Sequence, residues 1–575
     1  METPEPDTYI IRPTLSAEMW GHETRRAYSA IKVWEKSSVP FMLAGLVVAA
    51  MLLRLGLVLA PPRVIWGDEV DYMLLGRNLL NGQGFTNPDG SSHLVFPPGY
   101  PFVVGTIARL VGDLEWASNL AYVLCGGLLL LPVFVIARRL YGTPTAWLGV
   151  LLVAVCPALS VSVLYWGSMT EPLYTCLVYG GLAILLVGLE DQRWGLLPTA
   201  CLLFGLAYLV RPEAVGYVAM SLLVILACLI RRGIGVLWQT CWAIGGCVLA
   251  FALVAAPYVW YLHTHTGQWL LTGKGRLTWE LGEAMMREDW AVADAVAERL
   301  WGKPESFQGS LVQKILADPR GFARRVLRNA RQLLYEAHVY LYGLCPWIIL
   351  ALFRTPWDRR RAAHEAFLVA ALLPFSLILA FHIQARFFAP ALPVLLLWTA
   401  QGTRELGHWL DQTVALWRGR LLAGGRMAAL MQWGPAGVLV LALVSLLPPT
   451  TWAAQANVPL HYKTVGLWLR THTPAGTKVM TLQDAITLYA DRDQVSLPRT
   501  DWSGVLESAR AQKADYLVVG EAELRRIRPQ LAFVLESPPS ELAFVRSFEG
   551  MQVYRFVEPS VGAATVEARS MALVP

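Results

Sequence analysis

Trp66-Gly67-Asp68-Glu69-Val70-Asp71-Tyr72 begins six residues beyond the apolar run at 39–60, where a membrane helix would emerge into water. A spanning helix needs about 20 apolar residues, and that run supplies them. Carboxylates are costly inside a bilayer and bring no fold-building benefit at its edge, so an acidic pair placed there marks a candidate site. The chain continues through Gly82-Gln83-Gly84-Phe85 to Phe96-Pro97-Pro98-Gly99-Tyr100-Pro101, a long and partly amphipathic loop.

The rest of the chain reads the same way. Of 575 residues, 55% are hydrophobic and 16% charged, with mean hydropathy +0.44. Soluble domains carry about a quarter charged residues, so most of this chain should lie in lipid. Further apolar runs stand at 117–137, 144–164, 171–189, 194–210, 213–230, 237–262, 337–353, 365–383, 387–403 and 428–448. With the first they predict an α-helical polytopic membrane protein of about eleven spans. The 23 tryptophans suit anchoring at both interfaces. The net charge of +6 does not point to nucleic acid, because the basic residues fall in short clusters between apolar runs.

Those clusters set sidedness, since Lys and Arg favour cytoplasmic loops. With the polar segment 1–38 inside, Arg138-Arg139, Arg193, Arg231-Arg232, Arg354 with Arg359-Arg360-Arg361, and Arg404 to Arg426 all fall in the cytoplasm. The opposing short connections hold almost none, apart from Arg211 and Arg386. No cleavable signal peptide is evident, so the first run should remain as an anchor. The membrane domain then covers 39–450, with outer loops 61–115 and 263–336. The second loop alternates basic and apolar residues at helical spacing and reads as amphipathic helices on the membrane surface. A small extracytoplasmic α/β domain follows at 451–558, with strands at Lys478-Val479-Met480-Thr481, Asp515-Tyr516-Leu517-Val518-Val519 and Gln552-Val553-Tyr554-Arg555-Phe556. Helical stretches near 459–471, 483–490 and 502–512 alternate with them, and 559–575 reads as a flexible tail. The eight cysteines lie in or beside apolar segments, with neither disulfide nor metal-ligand spacing.

Several polar groups on the outer side invite chemistry. Asp68 and Glu69 could serve as a base and its partner, or Asp68 could simply cap a helix through Tyr72, Leu75 and Leu79. Glu171, in Gly167-Ser168-Met169-Thr170-Glu171-Pro172-Leu173-Tyr174, could face the same cavity or only complement a helix dipole. Arg211-Pro212-Glu213 and Arg386 break the charge bias; an anionic ligand is one reason, an internal ion pair another. Lys274 and Arg276 lie in Leu271-Thr272-Gly273-Lys274-Gly275-Arg276, which is no P-loop and reads sooner as a solvated basic loop than as a phosphate site. His263 and His265 form an HxH without supporting carboxylates.

Taken in order, Asp68-Glu69 with Tyr72, Pro97-Pro98-Gly99-Tyr100-Pro101, Thr170-Glu171-Pro172-Leu173-Tyr174, Arg211-Pro212-Glu213 and Arg386-Phe387-Phe388-Ala389-Pro390-Ala391-Leu392-Pro393 resemble the GT-C superfamily. Within it they resemble bacterial relatives of the dolichyl-phosphate-mannose-protein mannosyltransferase and aminoarabinose transferase group, over about 40–405. The resemblance implies a multi-pass protein of the bacterial inner (plasma) membrane. It would pass a sugar from a polyprenyl-phosphate donor to an acceptor lipid, glycan or protein on the outer face, with inversion. Asp68 would be the general base and Glu69 its partner or the ligand of a divalent metal cation. Glu171 would be a second acid, and Arg211 and Arg386 would neutralise the leaving phosphate. Tyr72, Lys274 and Arg276 would be further substrate contacts. The β-trefoil domains of eukaryotic protein mannosyltransferases are absent from the sequence, and the aminoarabinose enzymes' later loop motifs find no match, so the acceptor does not carry over. A transporter or flippase of a lipid-linked sugar is the alternative that shares these features, although no internal repeat is visible.

Overall fold

The computed structural model describes residues 16–60, 62–232, 237–309, 311–341, 343–418 and 426–557. The start of the N-terminal segment and the tail at 559–575 lie outside the described residues. Among those described, six helices are long and apolar enough to cross a membrane: Ser38–Leu59, Leu114–Tyr141, Glu171–Glu190, Leu237–Thr266, Arg359–Ala380 and Met427–Gln455. Four shorter apolar helices stand beside them, Gly99–Val111, Thr143–Val155, Trp194–Val210 and Pro212–Cys228. The expected runs are thus helical, but several are interrupted rather than full-length.

Proline and glycine account for the interruptions. Pro157 cannot continue the Thr143–Val155 helix, because it lacks an N–H and forces Cys156 into extended backbone. The run at 337–353 is not one helix either. The amphipathic helix Pro319–Leu341 ends inside it, Gly343 takes φ 71°, and Cys345–Ala351 starts afresh with a proline in its first turn. Arg54, fully buried in the first span, turns to one carbonyl of its own helix and to one beside the Pro157 break. It donates to the oxygens of Ala50 at 3.3 Å and Ala154 at 3.4 Å. The sequence reading passed over it, since one arginine does not break an apolar run.

The loop after the first span is helical rather than irregular. Asp68–Leu80 and Gly99–Val111 cross where Gly76 meets Gly105 backbone to backbone; a Cβ on either would stand 2.5 Å from a carbonyl oxygen. Gly112 in left-handed backbone and Asp113, which accepts from the Trp116 N–H at 2.7 Å, turn the chain directly into the next apolar helix.

The C-terminal region forms a five-stranded sheet, β1 (Lys478–Thr481), β2 (Asp493–Ser496), β3 (Tyr516–Gly520), β4 (Leu542–Phe548) and β5 (Met551–Phe556), in the order β2-β1-β3-β5-β4. The first three strands are parallel, joined by Asp484–Ala490 and Trp502–Gln512, as parallel pairing requires. Alternate residues separate two cores. Val479, Val518 and Val553 join the main core, whereas Met480, Leu517 and Tyr554 build a separate one with Val505. β2 and β4, the two strands not read from sequence, are the edges and are largely exposed.

This region packs onto both helical loops. Tyr489 Oη accepts from the Ile65 N–H at 2.8 Å, Lys463 Nζ reaches Glu115 at 2.8 Å, and Arg528 reaches Asp294 at 2.7 Å. At the other end of the bundle Arg139 pairs with Asp191 at 2.7 Å and His364 with Glu190 at 2.8 Å.

Candidate active site

A cavity of about 320 Å³ opens between the Asp68–Leu80 helix, the Arg211 turn, the Lys274 loop and the segment 377–387. Asp68 enters it from the first residue of its helix. The preceding Gly67 (φ 62°) packs against Gly167 (φ 67°), and the Glu69 N–H donates to the Gly167 oxygen at 3.0 Å. A Cβ on Gly67 would meet that same oxygen at 3.0 Å, so both glycines are needed for the close approach. This contact ties Asp68 to the turn that carries Glu171. Gly67, not Asp68, occupies the cap position, and no side chain caps the helix.

Asp68 Oδ2 lies 3.0 Å from Arg386 Nη2, and Gln384 Oε1 accepts from Arg386 Nε at 2.8 Å. Arg211 Nη1 donates to Glu171 Oε1 at 2.8 Å and Nη2 to Glu213 Oε1 at 3.1 Å. Both guanidinium groups lean on one ring: Phe387's centre is 5.2 Å from Arg211 and 5.4 Å from Arg386. Lys274 completes the cationic wall, its Nζ 5.7 Å from the centre of the Phe96 ring. Burial pushes the Lys274 ammonium down, while Glu213 opposes that shift. Tyr72 is buried behind Asp68, its ring 4.7 Å from Phe96 and 5.4 Å from Tyr100.

Not every expected residue faces this space. Glu69 points away from the cavity into the protein, where Arg63 Nη2 and Ser118 Oγ donate to its Oε1. Arg63 is held in turn by Asn119 Oδ1 at 2.7 Å and by the Leu164 carbonyl. Burial raises the Glu69 carboxyl even though Arg63 pulls the other way. A helix turns successive side chains through about 100°, so neighbours cannot share a direction, and the adjacency of Asp68 and Glu69 hid this. Arg276 also turns aside, donating to Glu280 Oε1 and the Glu305 carbonyl at 2.8 Å each. Glu69 has spent one oxygen on Arg63 and Ser118, and among the described residues no three His, Cys, Asp or Glu side chains converge. His263 and His265 diverge, the first stacked on Trp269 at 4.0 Å and the second bound to the Tyr261 carbonyl.

His382 lines the cavity and was not singled out by sequence. Burial pushes its imidazole down to about 4, with the Arg386 and Lys274 charges adding to the shift. Its signal was available in the polar run His382-Ile383-Gln384-Ala385-Arg386 that breaks an apolar stretch. Chemically, the site offers two part-exposed carboxylates, Asp68 and the Arg211-bound Glu213, three cations and an apolar wall of Leu277, Leu281, Met285, Trp301 and Phe381.

Comparison with known proteins bears on the fold. Residues 95–260 match the family model described as dolichyl-phosphate-mannose-protein mannosyltransferase. ArnT from Cupriavidus metallidurans superposes with TM-score 0.57 in its apo state, at 13% identity over 91% of this chain and 99% of that one. The same protein bound to undecaprenyl phosphate gives 0.54, at 13% identity over 90% and 98%. The oligosaccharyltransferase AglB from Archaeoglobus fulgidus, in complex with an inhibitory peptide and a dolichol-phosphate, gives 0.51 at 15% identity over 92% and 75%. No curated protein matches the sequence. The fold is shared with ArnT and AglB.

Proposed function

We propose that the protein transfers a sugar from a polyprenyl-phosphate donor to a hydroxyl or amine acceptor, on the extracytoplasmic face where its C-terminal sheet also lies. The observation that carries this reading is one cavity joining a water-accessible carboxylate, Asp68, to two cations with free donors, Arg386 and Lys274, beside the Arg211–Glu213 pair and an apolar wall. A phosphate leaving group on a long lipid needs that combination. Two similar structures, ArnT bound to undecaprenyl phosphate and AglB in complex with a dolichol-phosphate, support the donor class.

The chain's own residues divide the work. Asp68 takes a proton from the acceptor as its oxygen or nitrogen attacks the anomeric carbon. The bond from that carbon to the phosphate oxygen breaks, and a single displacement inverts the centre. Negative charge then grows on the lipid phosphate. Arg386 and Lys274 have donors to spare for it, whereas Arg211 is already neutralised by Glu171 and Glu213 and holds the turn beside them. An arriving phosphate competes with Asp68 for Arg386, which frees the base when the donor is in place. It also favours the protonated Lys274.

The test incubates purified protein with a panel of polyprenyl-phosphate sugars and identifies the lipid product by mass spectrometry, with Asp68→Asn alongside. Release of polyprenyl phosphate by the wild type, lost in Asp68→Asn with donor binding retained, is the expected result. A folded sample that turns over none of the panel, or an Asp68→Asn variant of full activity, would reject it.

A further inference from the structure

The helix Pro319–Leu341 carries Arg320, Arg324, Arg325, Arg328 and Arg331 against a single carboxylate, Glu336. At about 100° per residue these side chains separate into two faces. The inner face is engaged with the protein. Arg325 lies 3.8 Å from the centre of the Trp279 ring and pairs with Glu283 at 2.8 Å. The buried Asn329 donates to the Leu379 and Phe381 carbonyls at 2.8 and 3.0 Å, which fastens the helix to the wall of the cavity.

The outer face has a different chemistry. Arg320, Arg324 and Arg331 are exposed, and among the described residues none of them has an ion-pair partner. Beside them, along the same face, Leu327 is 57% and Leu334 72% exposed. Water would welcome the arginines but not the leucines. A buried protein contact would cover the leucines but leave three guanidinium groups desolvated. A surface that is apolar just below a layer of negative charge satisfies both, as amphipathic basic helices do at a lipid interface. Arg324 and Arg331 further rim a shallow hollow with Gln332 and with Arg328, whose two terminal nitrogens are already held by Glu283 at 3.1 Å.

We propose that the outer face of Pro319–Leu341 is a docking surface for anionic phospholipid, with Arg324 and Arg331 on lipid phosphates and Leu327 and Leu334 among the upper acyl chains. The bound lipid is structural: it is distinct from any donor in the cavity, and the proposal stands whether or not the protein transfers a sugar.

The full chain, purified with equal amounts of phosphatidylglycerol and phosphatidylcholine, is examined by native mass spectrometry. Wild type is expected to retain phosphatidylglycerol selectively. The Arg324→Gln/Arg331→Gln double variant should lower its affinity by roughly 30-fold, about fivefold per arginine, with unchanged melting. Retention by the wild type should also fall as NaCl rises from about 0.05 to 0.5 M, a measurement that needs no variant. Equal retention of both lipids, retention indifferent to salt, or a double variant as selective as the wild type would overturn the proposal. So would displacement of the phosphatidylglycerol by millimolar inorganic phosphate, which would show a site for the free anion instead.

Discussion

Arg386 Nη2 sits 3.0 Å from Asp68 Oδ2, joining the loop after the first membrane helix to the turn before Leu392–Arg418. Asp68 is a third exposed and Arg386 less so, so the pair faces the cavity rather than sealing it. If donor phosphate takes Arg386 and releases Asp68, the two residues act as one unit. Asp68→Asn should cost about 10²–10⁴ in turnover, and Arg386→Ala about 10²–10³. The double variant should then fall well short of the product of the two losses. Single-turnover assays on the same lipid donor measure all three, and full additivity would count against the shared role.

Glu69, beside the base in sequence, acts differently. Its carboxylate and Arg63 form an ion pair with almost no exposure, so removing one partner strands the other charge. Glu69→Ala should cost about 3–5 kcal/mol of stability. An Arg63→Met/Glu69→Met double substitution should recover most of it, because it removes both charges at once. Melting in detergent reports both effects. A double variant no more stable than Glu69→Ala would mean that the pair contributes by something other than mutual neutralisation.

The sequence carried the order of the elements well and their lateral geometry poorly. Apolar runs and turn residues located the helices, and the strands β1, β3 and β5 stood out as short runs rich in β-branched and aromatic residues. β2, Asp-Gln-Val-Ser, did not, since an exposed edge strand needs little apolar surface. Asp68, Glu171, Arg211 and Arg386 were legible because charge at the end of an apolar run is costly and so informative. Which of them touch was not. Pairing of Arg211 with Glu171, and the opposite directions of Asp68 and Glu69, are set by helix rotation and by the Gly67–Gly167 approach, neither of which leaves a composition signal.

Arg211 holds two carboxylates of unequal burial, and this asymmetry is testable. The Glu171 side chain is 1% exposed and that of Glu213 29%. Glu171→Ala should destabilise by about 3 kcal/mol, at the low end for a buried pair because Glu213 remains. Glu213→Ala should cost about 1 kcal/mol, as for a partly exposed pair. Equal losses in chemical denaturation would show that burial does not set the ranking.

Two buried histidines give the protein a defined acid sensitivity. Burial pushes His93 down to about 3 and His382 to about 4, against about 6.5 for a free imidazole. His93 is fixed as the neutral form with its proton on Nδ1: Nε2 accepts from the Phe96 N–H at 2.8 Å, which leaves Nδ1 to donate to Asn87 Oδ1 at 2.6 Å. Protonating Nε2 would break the first bond. Because both folded-state values lie below the unfolded one, the unfolded chain binds protons first as pH falls. The stability each contributes is complete above about pH 6.5 and is lost progressively as pH drops through 4 for His382 and 3 for His93. For His382 the loss is roughly 3 kcal/mol once the ring is fully charged. Melting temperature should therefore decline from pH 6.5 to 4.5 in the wild type and decline less in His382→Asn, with His93→Gln flattening the same window independently. A slope unchanged in both variants would place the acid sensitivity in the carboxylates instead.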